Sequence, residues 1–453
     1  MGNPFSLAPT ESPTVLTRHR AIVAPVPHPD SLPVMAKLQQ WGPASENSTT
    51  APLVWDCAED FFVYDNYGNR WVDCGDTGLC ANAGHGIPEV RQAIIEQTQR
   101  GLLYHGQYPS EEQAELLDLL SSLAPAGLEK AQLFSSTGDA IRAAMDLCRH
   151  HSSHTVEADK QWIVGFDGWL HAPHFDSHFI NAPVPSSFEA LLQTLSGLNV
   201  EAHKIAAVFV ESSLLWHEDI AKNSFAEEFT AWCQAHQILM VWDESRTGLG
   251  RTGKLWSFEH FGIQPDLICC GSNLTSSLPM GALVGRNRLW SALDGFNLSF
   301  NSGCNPLASA AALASIKALL ENRFSENAAE QGRSLRVELE RLGSMYPTQC
   351  GKLQVFGLYA SMEIRHDPAN ESSNATVYTL VESCFRKGLL VGLTYGRGKH
   401  ASEIRITPPL CITRSGLEEA IQTLAEALGE TFKTNTLESV ETISVSEMME
   451  VVS

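Results

Sequence analysis

Residues 239–286 constrain this chain more than any other stretch. They read LMVWDESRTGLGRTGKLWSFEHFGIQPDLICCGSNLTSSLPMGALVGR. Short apolar runs at 238–242, 267–270 and 282–284 suit strands buried on both faces of a parallel sheet. Asp243 follows the first run directly, so it is expected at a strand's carboxyl end. Open α/β sheets place ligands along that edge. A buried carboxylate there needs a partner, because an unpaired buried charge is costly. Gly248, Gly250 and Gly253 predict a tight turn that exposes backbone.

The run 241–285, with DE-x-x-TG-x-GRTGK, PD and LPMGA, resembles the class III aminotransferases, pyridoxal-phosphate enzymes of fold type I. The resemblance extends over about residues 20–433. It implies an α/β fold: a large domain with a mainly parallel central sheet, plus a smaller α+β domain built from both chain ends. By this resemblance Asp243 binds the cofactor's pyridine nitrogen. Arg246 stands where the family has a Gln facing the phenolic oxygen. The family's Schiff-base lysine lies in a run like GK-x-LGGG-x-P. Here the run is GSNLTSSLP, so the lysine position reads Ser272 and the glycines read Thr275, Ser276 and Ser277.

Other stretches carry the same resemblance with further changes. In QLFSSTGDA a strand passes into a helix through small hydroxyl residues. Such a helix N-terminus suits a phosphate, and it equally suits an ordinary N-cap ahead of Asp139. The family's N-SGSEA run makes Ser136, Thr137 and Gly138 the phosphate-loop equivalents. In FDGWLHA, similar to the family's F-x-G-x-YHG, the ring-stacking position reads Leu170 and the histidine is His171. Replacing an aromatic with leucine forfeits roughly 0.5–1.5 kcal/mol of stacking. His171, His174, Asp176 and His178 are metal-ligating types, but no helical or strand face collects them all, so no metal site is expected.

The apolar run 206–211 ends in Glu211, an acid that the family keeps, but the glycines that follow it in the family are absent. In LSFNSGCNPLA the family's Thr, which reaches the phosphate of the neighbouring subunit, is Asn301. EIRITPPL matches the family's IR-x-x-PPL, whose Arg binds the substrate carboxylate. Arg405 therefore either binds a carboxylate or forms a structural ion pair.

Charge and composition exclude several function classes. The net charge of −21 argues against nucleic acid and anionic membrane as partners. No apolar run approaches the ~20 residues of a membrane span. The N-terminus lacks a secretory signal pattern. Eleven cysteines without paired spacing suit a reduced, cytoplasmic compartment. The expected organisation is a mobile N-terminus at 1–20, an arm and part of the small domain at 21–83, and the large cofactor-type domain at 84–325. The C-terminal small domain follows at 326–433, then a mobile acidic tail at 434–453.

The lysine position decides the chemistry. A transaminase uses that amine to hold the cofactor and to relay the proton. Serine does neither, and no other lysine occurs between Lys254 and Lys317. The leading expectation is a repurposed pocket for a small carboxylate or phosphate ligand, in which Ser272, Asp243 and Glu211 occupy the catalytic positions. Pyridoxal or pyridoxamine phosphate would bind there only non-covalently. The alternatives are a silent partner or scaffold subunit, and a surviving aminotransferase acting on an amino acid or amine. The resemblance implies a homodimer, or a heterodimer with an active homologue.

Overall fold

The runs expected to be strands assemble into one sheet whose two faces are both covered. The computed structural model describes residues 8–9, 14–42, 51–75, 79–103, 108–169, 171–173, 176–215, 224–291, 305–365, 375–394 and 402–432. The central sheet has seven strands in the order Lys130–Phe134, Gly281–Gly285, Leu267–Cys270, Leu239–Asp243, Ile205–Glu211, Trp162–Phe166 and Phe179–Ala182. Val241, Phe209, Ile163, Cys269 and Leu283 pack on one face, against Ala140, Ile141 and Ala144 of helix Thr137–Thr155. Trp242, Val210, Val164 and Ile268 point to the other face. Alternation along each strand makes this division.

Direction departs from expectation at one strand. Gly281–Gly285 runs antiparallel to both neighbours, whereas the strands around Leu239–Asp243 are parallel. The short connection 271–280 lacks the length of a crossover helix, and without one a chain returns antiparallel.

A second sheet joins both chain ends. Val15–Leu16, Ala21–Ile22, Cys57–Glu59, Phe62–Tyr64 and Arg70–Cys74 share it with Cys350–Phe356, Tyr359–Ile364, Leu389–Thr394 and Ser402–Ile406. Arg70–Cys74 pairs in parallel with Leu389–Thr394. Residues 14–20, placed by sequence in the N-terminal tail, contribute Val15–Leu16 to this sheet. They also hold a buried Arg20, paired with Glu419 at 2.9 Å. Residues 434–453 lie outside the described residues.

The turn after Asp243 ties the two sheets together. Arg251 is fully buried. It donates to Asn82 Oδ1 at 3.1 Å, to the Leu358 carbonyl at 3.2 Å and to the Pro408 carbonyl. Gly253 has φ +87°, and a Cβ built on it would fall 2.9 Å from Ala329 Cβ, so glycine is required there on two counts. Glu244 braces the same turn. Its buried carboxylate accepts from Ser257 N and Oγ at 2.8 and 2.7 Å, from Phe258 N at 3.2 Å and from Thr247 Oγ1 at 3.1 Å. Burial lifts its pKa to about 8 against the pull of those donors. Among the described residues, no helix is long and apolar enough to cross a membrane.

Candidate active site

Two acids end neighbouring parallel strands side by side. Asp243 and Glu211 are register partners, and they are 0% and 1% exposed. Asp243 Oδ1 accepts from Ser245 N at 3.0 Å, and its Oδ2 accepts from the Trp169 indole Nε1 at 2.8 Å. Glu211 Oε1 accepts from Arg246 Nη1 at 3.0 Å and from Ser213 Oγ. Glu211 Oε2 is buried and has no hydrogen-bond partner among the described residues.

Arg246 therefore pairs with Glu211. It does not pair with Asp243, the acid three residues before it. Asp243 instead accepts from the Ser245 N–H and the Trp169 indole, while Arg246, in the turn closed by Gly248 N to Glu244 O at 3.0 Å, reaches Glu211. Its Nη2 donates to Tyr359 Oη at 2.6 Å, so the guanidinium spans from the large-domain sheet to the small-domain sheet. Burial opposes its charge. Glu211, Tyr359, Asp243 and Glu403 together outweigh that, and they raise its pKa above the ordinary arginine value.

Arg405 lies on strand Ser402–Ile406, opposite Gly392 and Ser361. A Cβ on Gly392 would fall 3.2 Å from Arg405 Cβ and 3.4 Å from its Nε, so the side chain runs across a space that glycine leaves. Arg405 Nε is buried and has no hydrogen-bond partner among the described residues. Burial pulls its pKa below the usual range, and nearby Arg246 adds to this. Tyr359 and Glu211 oppose it. The cluster thus holds two guanidinium groups, with Glu211 directly paired to one of them.

Around residue 272 three segments converge. A Cβ built on Gly271 would lie 2.6 Å from Thr137 Oγ1 and 2.8 Å from Ser245 Cβ. The helix N-terminus, the turn after Asp243 and the loop carrying Ser272 therefore meet at the carboxyl edge of the sheet. Ser136 is an N-cap: its Oγ accepts from Asp139 N at 3.1 Å and donates to Asp139 Oδ2 at 2.8 Å. Thr137 and Gly138 begin the helix. His171 Nε2 lies 3.4 Å from Ser245 Oγ.

The turn that follows is hydrogen-bonded through its side chains. Thr275 Oγ1 accepts from Leu278 N at 2.8 Å. Ser276, at φ +53°, contacts Ser315 Oγ at 2.7 Å and accepts from Ala83 N at 2.9 Å. Leu170 and Asn301 lie outside the described residues. Asp176 is engaged by Arg149, and no metal-binding group of three or more ligand residues occurs among the described residues.

The Aminotransferase class-III family model matches residues 44–177 and 169–428. The chain belongs to the class III aminotransferase family. It is 29% identical over 399 residues to a putrescine aminotransferase of Pectobacterium atrosepticum, covering 82% of this chain and 81% of that one. It is 26% identical to an isoleucine 2-epimerase of Lentilactobacillus buchneri, over 83% of this chain and 89% of that one. The crystal structure of acetylornithine aminotransferase from Elizabethkingia anophelis superposes with a TM-score of 0.75 at 27% identity, covering 88% of this chain and 99% of that one. An epimerase among these relatives shows that the fold alone does not set the reaction.

Family members depend on pyridoxal phosphate, which takes a primary amine for covalent attachment and an accessible carboxylate for its ring nitrogen. Around Asp243 the described residues offer neither. Residue 272 carries a hydroxyl, and Asp243 has no exposed surface, with the Trp169 indole seated on its Oδ2. Lys254 is turned to the Glu259 carbonyl, and buried Lys160 donates to the carbonyls of His236 and His203. The described residues therefore do not fit that group.

Trp169, Tyr359 and Gly392 were not read as site residues from sequence. A tryptophan or tyrosine in an apolar context reads as core. The available signal was weak: a buried indole N–H or phenol needs a polar partner.

Proposed function

We propose that this chain uses the aminotransferase fold to bind a small carboxylate ligand at Arg405 and does not transaminate it. The observation that carries this reading is the buried Arg405 Nε, which has no partner among the described residues, on a guanidinium whose charge is already disfavoured by burial and by Arg246. An incoming carboxylate would relieve both conditions and suits the planar fork of an arginine. Arg246, Tyr359 and Glu211 hold the neighbouring wall in place. Serine at 272 supports binding without turnover, since the hydroxyl provides neither an imine nor a proton relay at neutral pH.

We also infer a homodimer in the cytoplasm. Helix Leu32–Trp41 exposes Val34, Leu38 and Trp41 at spacings that share one helical face, and a subunit contact would cover them. The same face supports the second reading, a partner for an active homologue. Calorimetric titration of a panel of small carboxylates against the wild type and R405M tests the main reading. R405M should lose about 2–5 kcal/mol of affinity for any carboxylate that binds. Equal affinity in both proteins would sink it.

A further inference from the structure

We propose that Trp169 is a second, independent lock on the cofactor subsite: its indole keeps a pyridine ring off Asp243 whatever residue stands at 272. The inference does not depend on which ligand Arg405 takes. It rests on the atoms around one carboxylate. Asp243 is 0% exposed, so no surface of it is open to a new donor. Its Oδ2 accepts from Trp169 Nε1 at 2.8 Å. Its Oδ1 is held by Ser245 N, a backbone donor that cannot swing away.

The indole is fixed as well as bonded. Trp169 is 5% exposed and packs against Phe209 and Phe179 with centroid separations of 5.3 and 6.0 Å. Its backbone N–H donates to the Phe166 carbonyl at 3.0 Å. Gly165 makes the space, since a Cβ there would fall 2.9 Å from Trp169 Cε3 and 2.8 Å from Phe179 Cζ. A ring nitrogen reaching Asp243 would have to eject this side chain from an aromatic slot and leave the indole N–H without its acceptor. Each change is unfavourable.

The test restores the amine and then removes the lock. S272K, W169A/S272K and W169F/S272K are each equilibrated with the same free pyridoxal phosphate and reduced with borohydride. The pyridoxyl label at position 272 is then quantified by peptide mass. We expect W169A/S272K to carry at least about ten-fold more label than S272K, equivalent to roughly 1.4 kcal/mol of relieved competition. W169F/S272K retains most of the packing and loses only the N–H. It should also exceed S272K, and it carries the test where the alanine variant does not fold. Equal labelling of S272K and the folded double variants, at whatever level, would overturn the proposal.

Discussion

Replacing Arg246 with Gln removes the cation that Glu211 faces and the donor that Tyr359 accepts from. Glu211, now 1% exposed, would keep only Ser213 on its Oε1 and no partner on its Oε2 among the described residues. Breaking one side of a buried pair typically costs about 3–5 kcal/mol, because it leaves an uncompensated charge. The Arg246 side chain is only 13% exposed, so little of that is screened away. The glutamine amide can return one hydrogen bond, worth about 1 kcal/mol. R246Q should therefore lose about 2–4 kcal/mol of unfolding free energy. Urea denaturation measures it, provided the slope is unchanged. E211Q/R246Q, lacking both charges, should be more stable than R246Q alone. A loss below about 0.5 kcal/mol for R246Q would place the pair among solvent-screened contacts and refute the reasoning.

Four further outcomes are expected. G392A should crowd Arg405 and weaken carboxylate binding while leaving secondary structure intact by circular dichroism; unchanged affinity would remove Arg405 from the site. G271A should lower thermal stability sharply, because its Cβ would meet Thr137 and Ser245, and a neutral result would mean those segments do not converge. Glu244 has a raised pKa, so the unfolded state ionises first. Its contribution is fully present below about pH 4.5, and it falls as pH rises towards about 8, at up to about 1.4 kcal/mol per unit. E244Q should flatten the decline between about pH 4.5 and 8, and an unaltered profile counts against the assignment. His260 is held down to about 4 by burial and by Lys254, against the Thr252 hydrogen bond. The unfolded chain thus takes the proton first, and stability should fall as pH drops from 6.5 towards 4. H260F should soften that acid limb, as followed by denaturant titration.

The fold was legible because its strands are nearly pure apolar runs. Runs such as 238–242 and 267–270 form neighbouring strands of the central sheet, and Asp243 and Glu211 are at strand ends as the run boundaries required. Direction was not legible at Gly281–Gly285, since a strand buried on both faces has the same pattern whichever way it runs. Arg246 was legible as a misplaced cation, but its partner was not. Register between Asp243 and Glu211 brings a second acid within reach, and register is a property of two strands. The hydroxyl residues at 136–137 were ambiguous from the start, because anion sites and N-caps use the same groups. The geometry at Ser136 is that of a cap on Asp139. Tyr359 and Trp169 escaped notice because their apolar bodies match their surroundings, while the polar atom that matters is a single N–H or O–H.

The most direct test of the central claim combines pyridoxal phosphate with borohydride on the unaltered protein. The chain is equilibrated with the cofactor, reduced, digested and mapped by mass, so that stoichiometric attachment is separated from scattered surface labelling. The account predicts no lysine carrying a stoichiometric pyridoxyl group, because residue 272 is a serine and Asp243 is closed by Trp169. A stoichiometric adduct on a single lysine would contradict it and return the protein to ordinary aminotransferase chemistry.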